Sequence, residues 1–316
     1  MNKLSAALAA AFLIAGCGGG SGGGSAVTPV EDPVSTPPPA PPPAAGPVNV
    51  NISNPTLTFA DNSPLTPGGG MELVWSDEFD GDKLDPETWF FETGDGSQYG
   101  IPGWGNNELQ WYQPDNASVA DGVLYLQARQ ENSNGKNYTS ARINTRDRFA
   151  FRYGRIEARI RLPAGQGIWP AFWMLPQDNV YGTWAASGEI DVMEAVNLNG
   201  AGGNTVHGTI HYGGQWPNNT YTGDAFDPAA DVDTEFHVYA LEWDEAEMRW
   251  YVDDTLYAMQ NSWFSSGASF PAPFNERFHI LLNVAVGGNW PGSPNSGTSF
   301  PVQMAVDYVR VYSGTP

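Results

Sequence analysis

A chain of 316 residues with 14 Lys plus Arg against 35 Asp plus Glu carries a formal net charge of -21. That balance argues against nucleic acid and anionic membrane surfaces as partners, because phosphate binding needs clustered basic side chains. With 13% aromatic residues, 12 Trp and a single Cys, the chain can bury extensive apolar surface but cannot close an internal disulfide.

The N-terminus reads as an export segment: a basic Lys3, an apolar stretch from Leu4 to Ile14, and the small residues Ala15-Gly16 before Cys17. It is too short to span a bilayer as a mature helix. Ile14-Ala15-Gly16-Cys17 resembles the bacterial lipobox, so residues 1–16 are expected to be cleaved as a lipoprotein signal peptide and Cys17 to be acylated. The expected product is an exported lipoprotein held to the membrane of the cell envelope or surface. Residues 17–70 are read as lipidated Cys17 plus linker. Gly and Ser give way to a Pro-rich tract that cannot bury enough apolar surface to offset its ordering entropy. Val48 to Leu57 is open to either a strand or a linker reading.

From Met71 to the end, short β-branched and aromatic runs are separated by Gly, Pro, Asn and Asp, with almost no helical periodicity. Val123–Ala128, Phe236–Trp243, Arg249–Asp253, Ile280–Val286 and Val306–Tyr312 all read as strands. Arg155–Leu162 alternates most clearly, with Ile156, Ala158, Ile160 and Leu162 on one face and Arg155, Glu157, Arg159 and Arg161 on the other, which predicts one half-buried strand. An antiparallel sandwich or barrel accommodates this pattern; a parallel α/β fold would need helices that the sequence lacks.

Glu189-Ile190-Asp191-Val192-Met193-Glu194 places three acids in six residues of an otherwise apolar, strand-like run. Carboxylates there are costly unless used. A regular strand would point Glu189 and Asp191 one way and Glu194 the other, whereas one bulge residue at Val192-Met193 brings all three to the same face. A straight strand would leave the two glutamate Cα atoms on the order of 13 Å apart, so a concave strand is required for the side chains to lean together. Read from the residues alone, a solvated acidic face or a Ca²⁺ site competes with catalysis.

The segment resembles the active-site signature of glycoside hydrolase family 16, in the bulged form of its laminarinase-type members. The resemblance implies that Glu189 is the nucleophile, Glu194 the general acid/base and Asp191 the residue that hydrogen-bonds and tunes them. It further implies a jelly-roll β-sandwich of two antiparallel sheets with a concave substrate cleft over residues 71–316. Glu194 is expected to be kept protonated by its neighbours' charge and by partial burial.

Other segments fit the same family. Ile168-Trp169-Pro170-Ala171-Phe172-Trp173 offers Trp169 and Trp173 as faces for stacking sugars, where the bland reading is core packing. Gly105-Asn106-Asn107-Glu108 and Arg142 resemble cleft-wall positions, which makes Asn107 and Arg142 substrate contacts by resemblance. His207-Gly208-Thr209-Ile210-His211 has a four-residue His spacing but lacks the glutamate and helix of a zinc protease. His211 is therefore expected beside the acid/base region or substrate, with His207 structural. Gly287-Gly288-Asn289-Trp290-Pro291 implies Trp290 on the cleft, against an exposed Trp in a tight turn. Asp77-Glu78-Phe79-Asp80 and Val306-Asp307-Tyr308 resemble the family's terminal strands, which implies a structural Ca²⁺ held by Glu78, the Gly122 carbonyl and Asp307.

The expectation is thus a monomeric retaining endo-hydrolase of β-1,3-glucan, mixed-linkage glucan being a further substrate, with no catalytic cofactor. Alternatives are a galactan hydrolase of agarase or carrageenase type, a transglycosylase of the same family, or a noncatalytic glycan-binding module on the same fold. Sulfated galactans would ask for basic residues in the cleft, and the chain has few to spare. Tyr181–Ser187 and Gly214–Asp227 are the segments best placed to close one end of the cleft.

Overall fold

Period-two alternation builds two stacked sheets in the computed structural model, which describes residues 70–314. The signal segment, Cys17 and the linker up to residue 69 lie outside the described residues. In chain order the strands are β1 (Glu72–Asp77), β2 (Phe90–Phe91), β3 (Gln110–Tyr112), β4 (Ala117–Ala120), β5 (Val123–Ala128), β6 (Tyr138–Ser140), β7 (Arg142–Asn144), β8 (Gly154–Arg161), β9 (Ile168–Pro176), β10 (Glu189–Glu194), β11 (Val206–Gly213), β12 (Asn219–Phe226), β13 (His237–Trp243), β14 (Met248–Val252), β15 (Thr255–Gln260), β16 (Phe278–Val286) and β17 (Val302–Ser313). Among the described residues the only helices are three short 3₁₀ turns.

One sheet runs β15-β14-β13-β8-β17-β5-β4 with β1 added against β17, and the other runs β12-β11-β10-β9-β16-β7-β2. All strand pairings in both are antiparallel, and among the described strands the small β3–β6 pair is parallel. Between them lies one core to which β8 gives Ile156, Ala158 and Ile160, β16 gives Ile280, Leu282, Val284 and Val286, and β10 gives Ile190, Val192 and Met193. This is the jelly-roll sandwich expected from the sequence.

One expectation needs correction. The charged face of β8 is not solvated: Glu157 is fully buried and Arg155 nearly so. Arg155 Nε donates to Glu157 at 2.8 Å and Nη1 to Glu242 at 3.2 Å, while Tyr312 Oη donates to Glu157 at 3.2 Å. A strand flanked on both sides, here by β13 and β17, has neighbours long enough to close over its polar face, and each buried charge is paired.

Candidate active site

β10 sits between β9 and β11 in the interior of the second sheet, paired on both sides. Its pairing with β9 steps from Asp191↔Trp173 to Met193↔Phe172, and its pairing with β11 from Asp191↔Thr209 to Glu194↔His207. That slip is the bulge read from the sequence. Ile190, Val192 and Met193 consequently turn into the core while Glu189, Asp191 and Glu194 face the cleft. The Asp191 carbonyl beside the bulge accepts the indole N–H of Trp250, fully buried on β14 of the opposite sheet, at 2.8 Å.

Each glutamate has its own indole. Trp184 Nε1 donates to Glu189 Oε2 at 2.8 Å, and Trp169 Nε1 donates to Glu194 Oε1 at 2.9 Å. His211 Nε2 lies 3.7 Å from Glu189 Oε1 and 3.4 Å from Asp191 Oδ2. Burial, then the charge of Asp191, pushes both glutamates up to about 8, with the His211 charge and the indole hydrogen bonds opposing. Burial alone carries Asp191 up to about 8 as well. The sequence led us to expect only Glu194 raised; all three are, because desolvation acts on the whole cluster. Such a cluster holds shared protons near neutral pH and titrates as a unit.

Donor atoms of Glu189, Asp191 and His211 lie within 4.8 Å of one another, a spacing that a cation would accept. A metal-ligating histidine is ordinarily steered through its other ring nitrogen, yet His211 Nδ1 is buried without a hydrogen-bond partner. The indole clamps and the shared protons fit acid chemistry better.

The remaining expected residues fall around this centre. Trp169 packs edge-on against Trp290 with ring centroids 5.4 Å apart, and His207 lies 5.0 Å from Trp290. Trp173 donates to Asn283 Oδ1 at 2.8 Å. Asn107, exposed at φ 58°, donates to Asn289 Oδ1 at 2.8 Å and so ties the 105–109 loop to the Trp290 loop. Arg142, read as a sugar contact, is nearly buried. It pairs with Glu92, and its guanidinium lies 4.4 Å from the Trp104 ring and 4.8 Å from the Trp173 ring, supporting the cleft wall from behind.

The expected calcium ligands are engaged otherwise. Glu78 holds Arg310 through two hydrogen bonds of 2.9 and 2.7 Å, and Asp307 accepts from Arg159 at 2.8 Å. Gly122 lies in the left-handed turn between β4 and β5. Two carboxylates already facing guanidinium groups do not fit a calcium site as arranged. The terminal strands are instead joined by the β1–β17 ladder and the Glu78–Arg310 pair.

Sequence reading missed Trp184, whose segment was marked only as able to close the cleft. That loop is bound to the next one: Trp216 N donates to Trp184 O at 3.2 Å, and Thr183 Oγ1 to Gln215 Oε1 at 3.0 Å. It missed Tyr221 too, whose ring lies 5.6 Å from His211. Much of Gly214–Asp227, taken as loop, is β12, the edge strand of the sheet. Its Thr and Tyr alternation was the available signal.

The model of the glycosyl hydrolases family 16 matches residues 102–310. A glucan endo-1,3-beta-glucosidase A1 of Niallia circulans is 44% identical over 79% of this chain, which spans only 39% of that longer protein. A beta-glucanase of Rhodothermus marinus is 45% identical over 76% of this chain and 85% of its own length. The solved catalytic domain of an endo-1,3-beta-glucanase (laminarinase) from Thermotoga petrophila superposes with a TM-score of 0.70 at 41% identity, covering 78% of this chain and 99% of that one. With that match across most of its folded part, and with three acids on one face of a bulged central strand, this chain belongs to glycosyl hydrolases family 16.

Proposed function

We propose that this protein is a retaining endo-β-1,3-glucanase of laminarinase type, with Glu189 as nucleophile and Glu194 as general acid/base. The observation that carries the reading is the bulge, which turns both glutamates to the cleft where each accepts one indole N–H. Relatives named as endo-1,3-beta-glucosidase and as 1,3-1,4-beta-glycanase support β-1,3-glucan first and mixed-linkage glucan second.

In the first half-reaction ionised Glu189 attacks the anomeric carbon as the glycosidic C–O bond breaks, and Glu194 passes its proton to the departing oxygen. The glycosyl ester on Glu189 then yields to water, whose proton returns to Glu194. Asp191, buried between the two, holds a proton while Glu189 is ionised, so the cleft never carries three adjacent negative charges. Trp169 and Trp290 wall the Glu194 side, and Trp184, His211 and Tyr221 the Glu189 side.

Export as a lipoprotein through Cys17 belongs to the same proposal, supported by the Ile14-Ala15-Gly16-Cys17 segment. Incorporation of labelled palmitate that persists in Cys17→Ser would overturn it. For the activity, reducing-end release is measured on laminarin, lichenan, agarose and κ-carrageenan, with Glu189→Gln alongside. Release from laminarin that vanishes in the variant is expected; preference for a galactan would overturn the substrate, and folded protein inert on every polymer would overturn the enzyme.

A further inference from the structure

The sparse cations of this acidic chain are unevenly spent. Among the described residues Arg129, Lys136, Arg142, Arg155, Arg159, Arg249 and Arg310 are in ion pairs. Among the described residues no carboxylate pairs with Lys83, Arg146, Arg148, Arg152, Arg161 or Arg277. Four of these six, Arg146, Arg148, Arg152 and Arg277, are exposed at one place. The β7 end and the start of β16 bring them together through the Phe151↔Phe278 bridge and the Thr145 N→Ile280 O bond of 3.0 Å.

This rim adjoins the sheet face that carries the acids. Across the cleft face the register runs Asp191↔Trp173, Trp173↔Leu281, Leu281↔Asn144 and Asn144↔Phe90. Four strand spacings place Phe90 about 19 Å from the acids. Phe90 is 44% exposed, and the Arg148 guanidinium stands 5.4 Å from its ring. Arg148 is fixed by bonds from Nε to Pro86 O at 2.9 Å and from Nη1 to Arg146 O at 3.4 Å, while the Arg146 side chain has no partner among the described residues. His279, on the cleft face of β16, stays neutral there: burial, then the charges of Arg146 and Arg142, push it down to about 3. Of the acids nearby, Asp147 exchanges two bonds with Gln177 and Glu276 accepts from Tyr181 at 3.1 Å, so neither is paired with these arginines.

We propose that the β2–β7 edge of the cleft is a subsite for an anionic substituent, a carboxylate or sulfate ester, borne by the glucan chain. Guanidinium groups bind such oxyanions with paired N–H donors. In a molecule with a net charge of -21, unpaired arginines at the cleft mouth create a local attraction that offsets the repulsion an anionic polymer meets elsewhere. The basic residues this chain can spare for a charged polysaccharide are few, as the sequence indicates, and this edge holds four of them.

The inference rests on the glucanase reading, and its test separates the two. In the Glu189→Gln background, binding of a carboxymethylated β-1,3-glucan and of neutral laminarin is measured with and without Arg146→Gln and Arg148→Gln. Two exposed charge contacts predict about a 3- to 10-fold loss for the carboxymethylated chain at low ionic strength, shrinking in high salt, and no change for laminarin. Equal losses on both polymers, or none, would overturn the subsite. So would arginine-dependent retention on phosphatidylcholine–phosphatidylglycerol vesicles without the glucan difference, which would assign the patch to a surface. If folded protein with Glu189 intact fails to cleave laminarin while the binding difference stands, the hydrolase reading fails and the subsite does not.

Discussion

Trp184→Phe removes the N–H that reaches Glu189 while keeping a ring beside His211, whose centroid lies 5.6 Å from that of Trp184. A hydrogen bond to a charged group is worth about 1.5–3 kcal/mol, and one pKa unit corresponds to about 1.36 kcal/mol, so the loss amounts to about one to two units. The bond favours the ionised form, so Glu189, already pushed up to about 8, rises further. A nucleophile must be ionised; the ascending limb of kcat/KM against pH therefore moves to higher pH, and the rate on that limb falls at least about tenfold. Trp169→Phe is the mirror experiment. It raises Glu194, which must be protonated, so the descending limb moves to higher pH instead. Both profiles come from initial reducing-end release on laminarin. If Trp184→Phe displaces the descending limb, or if both variants scale the whole profile without moving either limb, the assignment of roles is wrong.

In Glu189→Ala, azide is expected to restore turnover and give a glycosyl azide of inverted anomeric configuration, whereas Glu194→Ala gives the retained anomer; NMR of the product distinguishes them. Glu189→Gln is expected to melt at least about 2 °C higher than the parent at pH 8 and at the same temperature at pH 4. The folded carboxyl titrates near 8 and the unfolded one near 4.3, so stability is lost as pH rises between them, and the amide removes that cost. Calorimetry that shows equal melting at pH 8 would count against the buried cluster. EDTA is expected to leave the melting temperature unchanged, because Glu78 and Asp307 are paired with Arg310 and Arg159; a rise of several degrees on adding calcium would refute those pairs.

The sequence carried the fold because both sheets are written in period two, and their turns in Gly, Asn and Asp. It carried the acids for the same reason: three carboxylates in an apolar strand break the pattern, and parity demands a bulge at one place, Val192-Met193. What it did not carry depends on groups far apart in the chain. Arg142 looks like a free cation until Glu92, 50 residues earlier, and the Trp104 ring are set beside it. Glu157 looks solvated until Tyr312 covers it from β17. Trp184 precedes Glu189 by only five residues, but it sits in a loop, where periodicity says nothing about side-chain direction.

The bulge also explains why this acidic strand can lie in the middle of a sheet. Breaking the ladder at Val192 disturbs the backbone pairing beside Asp191, where both residues are buried, and a buried carbonyl left without a donor is costly. Trp250 removes that cost from the far side of the core, its indole crossing from β14 to the Asp191 carbonyl. On the cleft side Trp169 and Trp184 do the corresponding work for the carboxylates. Three indoles therefore hold one six-residue strand, each through a single N–H and a large apolar ring that excludes water. Dryness raises the acids and the N–H groups temper the rise, so the tryptophans set both the shape of the site and the pH at which its carboxyl groups exchange protons.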